Sequence, residues 1–257
     1  MIELSRDQGH ILKSMFAYTH LTMVRSFIDG CMGRGWVDRV DSPACAQVTV
    51  GDVSFLAGDP TAEDAARFVD NIPCDSGNPE FLFVPENDRW ADLVLARHGI
   101  RAGRVVRYAF QHGGDFPTDR LSGYAADLPD DYTIEPIDEK LYRQCLGSPM
   151  KDLCSQFATA EDYVRRGIGF CAVRDGKVAG GASSYTVYRG GIEIEVDVDE
   201  GHRRKGLALA CSARLILECL ARGIYPSWDA ANLESANLAR KLGYVFSHEY
   251  GVYAVEF

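Results

Sequence analysis

The chain has 257 residues, of which 46% are hydrophobic and 25% are charged, and its formal net charge is -10. This composition is typical of a soluble globular protein. Because neutralising phosphates requires a basic face, the charge argues against a nucleic-acid partner and against an anionic membrane surface. It permits a cationic substrate.

The sequence shows no targeting or membrane signal. The first residues, MIELSRDQGHILK, lack the apolar core of a signal peptide. The longest apolar segment, residues 206–224, is interrupted by Arg214, Glu218 and Arg222, so no membrane span is predicted. The eight cysteines form no CxxC pair, and we interpret them as free thiols of a cytoplasmic protein.

The first half alternates helical and extended patterns, which predicts an α/β domain. A hairpin is expected around Gly51 and Asp52, and a helix with Thr61 as its N-cap. In chain order, the predicted elements are helices at 8–18 and 20–31, the hairpin at 47–56, a helix at 61–72, a strand at 80–85, a helix at 87–98 and a strand at 104–110. The large aromatic side chains of these elements are the expected core: Trp36, Phe55, Phe68, Phe81, Phe83 and Trp90.

Residues 112–131 are rich in Gly, Pro, Asp and Ser and show no apolar period. A segment of this length without regular structure is unusual inside one compact domain. We therefore predict an N-terminal α/β domain at 1–111, a linker at 112–131 and a second domain at 132–257.

The pattern of the second half predicts elements in the order βαα-βββ-α-β-α-ββ. They would form a mixed central sheet with helices on both faces, so the predicted fold class is α/β, of the α+β type. Its last helix, NLESANLARKLG, has Asn232 as N-cap and Gly243 just past its end. The expected elements are a strand at 132–137, helices at 138–146 and 159–167, strands at 168–188 and 190–198, a helix from 206, a strand at 224–230, the last helix and closing strands at 244–257.

The strand at 190–198 carries acidic residues on one face and apolar residues on the other. Carboxylates on a central strand are costly unless that face borders a wet cleft. The alternative is an edge strand with a solvated acidic face. The acidic residues are Glu193, Glu195, Asp197 and Asp199.

Three cations, Arg203, Arg204 and Lys205, follow this strand, and Gly206 then opens an almost entirely apolar helix. The first amides of a helix lack intrahelical partners and carry the positive end of its dipole. Gly206 and the small Ala208 let a ligand approach the backbone. The cations and amides therefore predict a pyrophosphate site.

The pattern Arg203-x-x-Gly206-x-Ala208 resembles the acyl-CoA signature [Q/R]xxGx[G/A] of the GCN5-related N-acetyltransferases (GNAT). NLESANLARKLGY is similar to that family's NxxAxxLYxKLGF segment. The resemblance covers residues 132–257. The segment GIYPSWDAANLES and the additional N-terminal half resemble the zwittermicin-resistance-like subgroup.

The resemblance implies that the fourth and fifth strands diverge and that acetyl-CoA lies between them as co-substrate, with no metal. The backbone of Val196 to Val198 would pair with pantetheine, and Asn232 would reach the same arm. Asn232 is equally interpreted as a plain helix cap, and Lys241 as a solvated side chain. The residues implied for the pyrophosphate are Arg203, Arg204, Lys205, Gly206, Leu207 and Ala208.

The implied reaction is attack of an amine on a thioester carbonyl, and a carboxylate can take the amine proton. Glu195 is the first candidate, followed by Glu193, Asp197 and Asp229. Asp199 is expected to cap the adjoining turn. The acceptor would be an amine of a small molecule or peptide, and a homodimer is compatible with the sequence.

Ala239 stands where many family members place a general-acid tyrosine. Tyr250 and Tyr253 are the possible substitutes. The alternative function is a non-catalytic acyl-CoA sensor or interaction module.

Overall fold

The structure is a computed structural model that describes residues 1–73 and 79–257. Contacts divide the chain into a first unit, Met1–Tyr108 with His248–Phe257, and a second unit, Ala109–Ser247. Strands and helices alternate in both units, which confirms the predicted α/β class. Cys74, one of the predicted free thiols, lies outside the described residues, and none of the other seven cysteines forms a disulfide within the described part of the chain.

The first unit is built on a sheet with strand order β1-β2-β3-β4-β5-β13-β6. Its elements before the boundary are β1 (Ile2–Leu4), α1 (Arg25–Ile28), β2 (Arg34–Val37), β3 (Cys45–Val50), β4 (Val53–Gly58), α2 (Ala65–Asp70), β5 (Glu80–Pro85), α3 (Asp88–His98) and β6 (Ala102–Phe110). The strand β13 (Phe246–Glu256) ends the chain. The predicted hairpin is confirmed, since β3 and β4 pair antiparallel about Gly51, whose φ is +62°.

The predicted core of the first unit is confirmed. All six aromatic side chains expected there are buried. The predicted helix at 61–72 begins later, because Asp64 rather than Thr61 precedes α2, and Thr61 instead donates its hydroxyl to Asp59. The helices expected at 8–18 and 20–31 are shorter in the structure, which has 3-10 turns at Arg6–Leu12 and Thr22–Val24 and then α1.

The second unit contains a five-stranded sheet with the order β11-β10-β9-β8-β7. Its elements are α4 (Thr118–Ala126), β7 (Thr133–Pro136), α5 (Glu139–Leu146), α6 (Ala160–Arg166), β8 (Gly169–Arg174), β9 (Lys177–Tyr188), β10 (Gly191–Val198), α7 (Leu207–Ala221), β11 (Tyr225–Ser227), β12 (Asp229–Ala230) and α8 (Leu233–Leu242). From β7 onward this order matches the predicted order with two differences. The expected fifth strand is divided into β11 and β12, and the single strand β13 stands where two closing strands were expected.

Helices cover both faces of this sheet, as predicted. Neighbouring residues of β8 point to opposite faces. The Arg214 guanidinium of α7 lies 4.3 Å from the ring centroid of Phe170, while the Cys145 thiol of α5 lies 3.8 Å from that of Cys171. The apolar α7 is therefore packed on one face, and α5 on the other.

The structure differs from the expected division of the chain in two places. Residues 112–131, the predicted linker, contain α4 and belong to the second unit. The last ten residues group with the first unit, because Tyr253 to Glu256 of β13 pair with β5. That residues 132–257 form a domain of their own stays a prediction.

Candidate active site

β10 has strand neighbours on both edges for only part of its length. It pairs antiparallel with β9 from Gly191 to Val198. It pairs parallel with β11 only from Gly191 to Glu193, opposite Tyr225 to Ser227. The edge strand considered as the alternative is therefore not observed over this first part. Beyond Glu193, no other strand of the five-stranded sheet borders that edge.

A cleft opens where the two strands diverge. After Ser227 the chain passes through Trp228 into β12, which is not part of the five-stranded sheet. The cleft has a volume of about 1070 Å³ and is bordered by the end of β10, the following loop, the start of α7 and one side of α8. Its lining residues are Val196, Asp197, Val198, His202, Arg203, Arg204, Gly206, Leu207, Ala208, Leu209, Asn232, Glu234, Ser235, Asn237, Leu238 and Lys241.

The loop before α7 has an unusual backbone. Arg204 has a φ of +62° and Gly206 a φ of +82°, both in the left-handed region. Left-handed residues near a helix start turn successive amides toward one side, which forms a concave anion site. A Cβ added at Gly206 would meet only Asp127 O, at 3.7 Å, so the positive φ rather than lack of space within the chain favours glycine.

The three cations of this loop have different surroundings. Arg203 and Arg204 are exposed and line the cleft. Arg203 Nη1 lies 3.8 Å from Glu200 Oε1, and at exposures of 61% and 89% such a pair contributes little. Lys205 does not line the cleft and donates to the Tyr132 hydroxyl at 3.0 Å. The structure thus brings the two arginines, but not the lysine, to the predicted anion site.

Asn232 is placed both to cap α8 and to border the cleft, as its two interpretations require. Its Oδ1 accepts a hydrogen bond from Ser235 N at 2.9 Å, so it is the N-cap of α8. It also lines the cleft. Because Oδ1 serves the cap, the amide Nδ2 is the group of Asn232 that can meet a ligand.

The carboxylates of β10 are buried to different extents. Glu193 is 4% exposed, whereas Glu195 and Asp197 are half-buried. Only Asp197 lines the cleft. Glu195 lies opposite Ser183, whose hydroxyl is 2.6 Å from the Tyr163 hydroxyl of α6, so Glu195 is on the face that α6 covers. Asp229, in β12, is half-buried and does not line the cleft.

Burial raises the pKa of Asp197. The Val198 amide, which donates to Asp197 Oδ1 at 2.7 Å, opposes this rise. The nearby Asp152 carboxylate adds to the rise, while Arg203 lowers the pKa. A carboxylate with a raised pKa is a stronger base, which suits it to accept a proton. Asp199 accepts from Gly201 N at 2.9 Å and so caps the turn, as expected.

The residues considered as general acids lie away from the cleft. Ala239 is fully buried and is not among the lining residues. Tyr250 and Tyr253 belong to the first unit and do not line the cleft either.

Several lining residues of α8 and the loop residue His202 were not predicted from the sequence. Lys241, interpreted there as a solvated side chain, is exposed and also borders the cleft. Ser235, Leu238 and Lys241 follow Asn232 at intervals of three residues, which places them along one side of a helix. Because the sequence already implied that Asn232 lies at the site, this spacing could have predicted that the three residues border it as well. His202 had no signal of its own in the sequence.

Within residues 1–73 and 79–257, no helix is long and apolar enough to cross a membrane. The same residues contain no group of three or more His, Cys, Asp or Glu side chains that could hold a metal ion.

The fold and the cleft are those of an acyltransferase, and the comparisons with known proteins agree. A family model described as GNAT acetyltransferase matches residues 13–253. The chain belongs to the GNAT acetyltransferase family. The match includes most of the first unit, beyond the residues 132–257 on which the resemblance was based. The zwittermicin-resistance-like subgroup stays a prediction.

Individual relatives extend over nearly the whole chain. The crystal structure of a GCN5-related N-acetyltransferase-like protein from Streptococcus suis 89/1591 is 36% identical, has a TM-score of 0.89, and is aligned over 98% of this chain and 100% of that chain. A Bacillus subtilis (strain 168) protein named uncharacterized N-acetyltransferase YdfB is 24% identical over 98% of this chain and 97% of its own length. A tandem GNAT protein from the clavulanic acid biosynthesis pathway is similar in fold, with 13% identity, a TM-score of 0.56, and coverage of 98% of this chain and 94% of that chain.

Proposed function

We propose that the protein is an N-acetyltransferase that transfers the acetyl group of acetyl-CoA to an amine. The observation that carries this proposal is the cleft between β10 and α8, which opens where β10 loses its parallel partner and ends at a loop with two arginines and a helix start. A di-anionic pyrophosphate fits such a loop, because unpaired amides and guanidinium groups both donate to phosphate oxygens.

The donor would bind along β10 in an extended form. The backbone of Val196 and Val198 borders the cleft, and its edge has no partner strand within the five-stranded sheet. The amides of a pantetheine arm can pair with such an edge as an added strand does. Asn232 also borders the cleft, and its Nδ2 would donate to the same arm.

In the proposed reaction, the neutral amine nitrogen attacks the thioester carbonyl carbon, the C–N bond forms and the C–S bond breaks. A carboxylate of β10 takes the amine proton, directly or through water, and the CoA thiolate leaves. Glu195 is the first candidate, with Glu193, Asp197 and Asp229 as the others. Glu195 stays first because it lies in mid-strand, close to where β10 and β11 diverge, whereas the support for Asp197 is its place in the cleft and its raised pKa. Much of the rate would come from holding both substrates in near-attack geometry.

A non-catalytic acyl-CoA sensor is the second candidate. Ala239, at the position of the family's usual general-acid tyrosine, is fully buried and offers no proton. This favours a sensor, although a CoA thiol is acidic enough to leave without a general acid. The acidic face of β10 favours an enzyme, because binding CoA does not require it.

Incubating the full chain with acetyl-CoA, a thiol reagent and a panel of amines tests the proposal. We expect release of free CoA that depends on an amine, together with a thermal stabilisation by acetyl-CoA of about 2.7 kcal/mol at 100 times its Kd. If acetyl-CoA stabilises the protein but no amine of the panel causes release of free CoA, the result would support the sensor. Neither effect at saturating acetyl-CoA would exclude both functions.

A further inference from the structure

Three side chains form a hydrogen-bonded chain beside the loop that precedes α7. Lys205 Nζ lies 3.0 Å from the Tyr132 hydroxyl, and that hydroxyl lies 2.7 Å from His202 Nδ1. Tyr132 is 6% exposed and does not line the cleft, whereas His202 does. Lys205 and His202 are three residues apart in the loop, and both reach the same phenol oxygen.

The chemistry of Lys205 fixes the direction of the first of these hydrogen bonds and favours one direction for the second. A lysine ammonium can only donate, so the Tyr132 oxygen accepts from Lys205. The Arg174 guanidinium lies 5.6 Å from the Tyr132 ring centroid and adds a second positive charge beside this phenol. Because a cation donates to its oxygen, the phenol is the stronger donor of the pair, and we infer that its proton is directed to His202 Nδ1. A neutral His202 then carries its own proton on Nε2.

This tautomer leaves a donor for the cleft. Nδ1 of His202 is engaged by the buried Tyr132, so Nε2–H is the ring group available to a ligand beside Arg203 and Arg204. We propose that His202 is an additional binding residue, which donates from Nε2–H to a phosphate of the acyl-CoA. Tyr132 and Lys205 are positioning residues that hold its ring and its tautomer. This inference rests on the proposed function, because it assigns a residue to the same ligand.

The proposal also explains the position of Lys205. From the sequence, a lysine within a cationic loop is expected to contact the anion directly. In the structure its ammonium instead holds the Tyr132 phenol. Its contribution to phosphate binding is then exerted through His202, while Arg203 and Arg204 supply the charge that meets the ligand.

The tautomer can be measured on the wild-type chain without any ligand. We would label the histidines with ¹⁵N, record long-range ¹H–¹⁵N correlation spectra at pH 7.5, and assign His202 by comparison with the His202→Gln variant. We expect the Nε2–H tautomer, and an increased share of the Nδ1–H form in Tyr132→Phe. A predominant Nδ1–H or imidazolium form in the wild type would overturn the proposal.

A matched pair of variants tests the contact with phosphate. A glutamine amide reaches the place of the imidazole Nε2, whereas an asparagine amide reaches only that of Nδ1. We expect His202→Gln to retain CoA affinity within a few-fold and His202→Asn to weaken it by about 10- to 100-fold, the range for one hydrogen bond to a charged group. Equal thermal midpoints of the two free variants would show that the loss is not one of folding.

Comparing two ligands shows which phosphate His202 contacts. It also distinguishes failure of the role of His202 from failure of the proposed function. A loss in His202→Asn seen with CoA but not with 3′-dephospho-CoA assigns the contact to the 3′-phosphate, and a loss with both assigns it to the pyrophosphate. If the wild type binds CoA and both variants bind it equally well, the role of His202 is refuted while the proposed function stands. If the wild type binds neither ligand, the proposed function fails, and this inference with it.

Discussion

The chain from β4 to β6 and the chain from β10 to β13 have a similar order of elements. In each, a strand is followed by a helix, a parallel strand, a helix and a long strand, and the second has the additional short strand β12 before its last helix. The last helix of each has an asparagine N-cap, Asn87 or Asn232, and ends at a glycine of positive φ.

The two parallel pairs differ at the point where a ligand would enter. In the first unit, β4 and β5 pair over four residues, and Glu86 extends the connection. Its amide donates to Leu56 O at 3.0 Å, and its carboxylate accepts from Gly58 N at 2.8 Å. In the second unit the pairing ends at Glu193, and the cleft begins. The order of elements therefore does not by itself produce the cleft of the proposed binding site. The cleft depends on the break in strand pairing.

The residues before α2 and those before α7 also differ in charge. Residues 59–64, which precede α2, include three acidic residues and no Lys or Arg, whereas residues 203–205, near the start of α7, are three cations. An anion is thus repelled at the start of α2 and attracted at the start of α7. Closed pairing and acidic charge both predict that the first unit binds no CoA.

Replacing Gly206 by Asp should have the largest effect on this contrast. A carboxylate about 4 Å from a phosphate costs about 4 kcal/mol at an effective dielectric constant of about 20, which corresponds to roughly a thousandfold in Kd. We expect one acetyl-CoA per wild-type chain and none per Gly206→Asp chain in titration calorimetry. Gly176→Asp is the matched control, since Gly176 also has a positive φ, +73°, with nothing near its Cβ position. A remaining site of wild-type affinity in Gly206→Asp would place CoA binding elsewhere and refute the comparison.

Removing the proposed base should have the next largest effect. β4 carries no carboxylate, whereas β10 carries Glu193, Glu195 and Asp197. We expect Glu195→Gln to lower turnover by about 100-fold while leaving the Kd for acetyl-CoA nearly unchanged, as expected for loss of a general base. Steady-state kinetics and calorimetry on the same preparation check both values. Unchanged turnover would clear Glu195 and direct the same test to Glu193, Asp197 and Asp229.

Removing one cation of the loop should have a smaller effect. Arg204→Ala deletes a guanidinium that borders the cleft, and we expect about a tenfold higher Kd for acetyl-CoA, the loss of about one charge-assisted hydrogen bond. The loss should shrink as salt is added, because the arginine is exposed. Arg101→Ala, which removes an exposed arginine of the first unit, is the control and should leave the Kd unchanged. Equal Kd values for the two variants would mean that the charge of this loop does not hold the ligand.

Local signals in the sequence predicted the parts of the site that depend on neighbouring residues. The hairpin at Gly51, the cap at Asn232 and the helix end at Gly243 follow from backbone chemistry within a few residues. The cleft-bordering positions of Arg203, Arg204 and Gly206 follow from the helix start in the same way.

What could not be predicted depends on residues far apart in the chain. The direction of the Lys205 side chain is set by Tyr132, 73 residues earlier. The helix α4 was missed because, among its residues, only Leu121 is buried, so no apolar period marks it. The grouping of residues 248–257 with the first unit depends on their pairing with β5, which alternation along one strand does not reveal.

The smallest expected effect is on the thermal stability of the free protein. It concerns Asp197 of β10, since β4 has no carboxylate. Because burial raises the pKa of Asp197 in the folded protein, ionising this carboxyl is less favourable there than in the unfolded chain. Between the unfolded pKa of about 3.9 and the raised folded pKa, the folded state binds more protons, so this group lowers the free energy of unfolding as pH rises through that window. The penalty remains at neutral pH.

Asp197→Asn removes this penalty and keeps an oxygen for the Val198 amide. We expect its thermal midpoint to exceed that of the wild type by roughly 1–3 °C at pH 7.5, with the difference shrinking as the pH is lowered towards about 4. Asp115→Asn, at an exposed position of the second unit, should show no difference at either pH. A midpoint for Asp197→Asn below that of the wild type at pH 7.5 would show that the ionised carboxylate stabilises the free protein, contrary to the direction of its pKa.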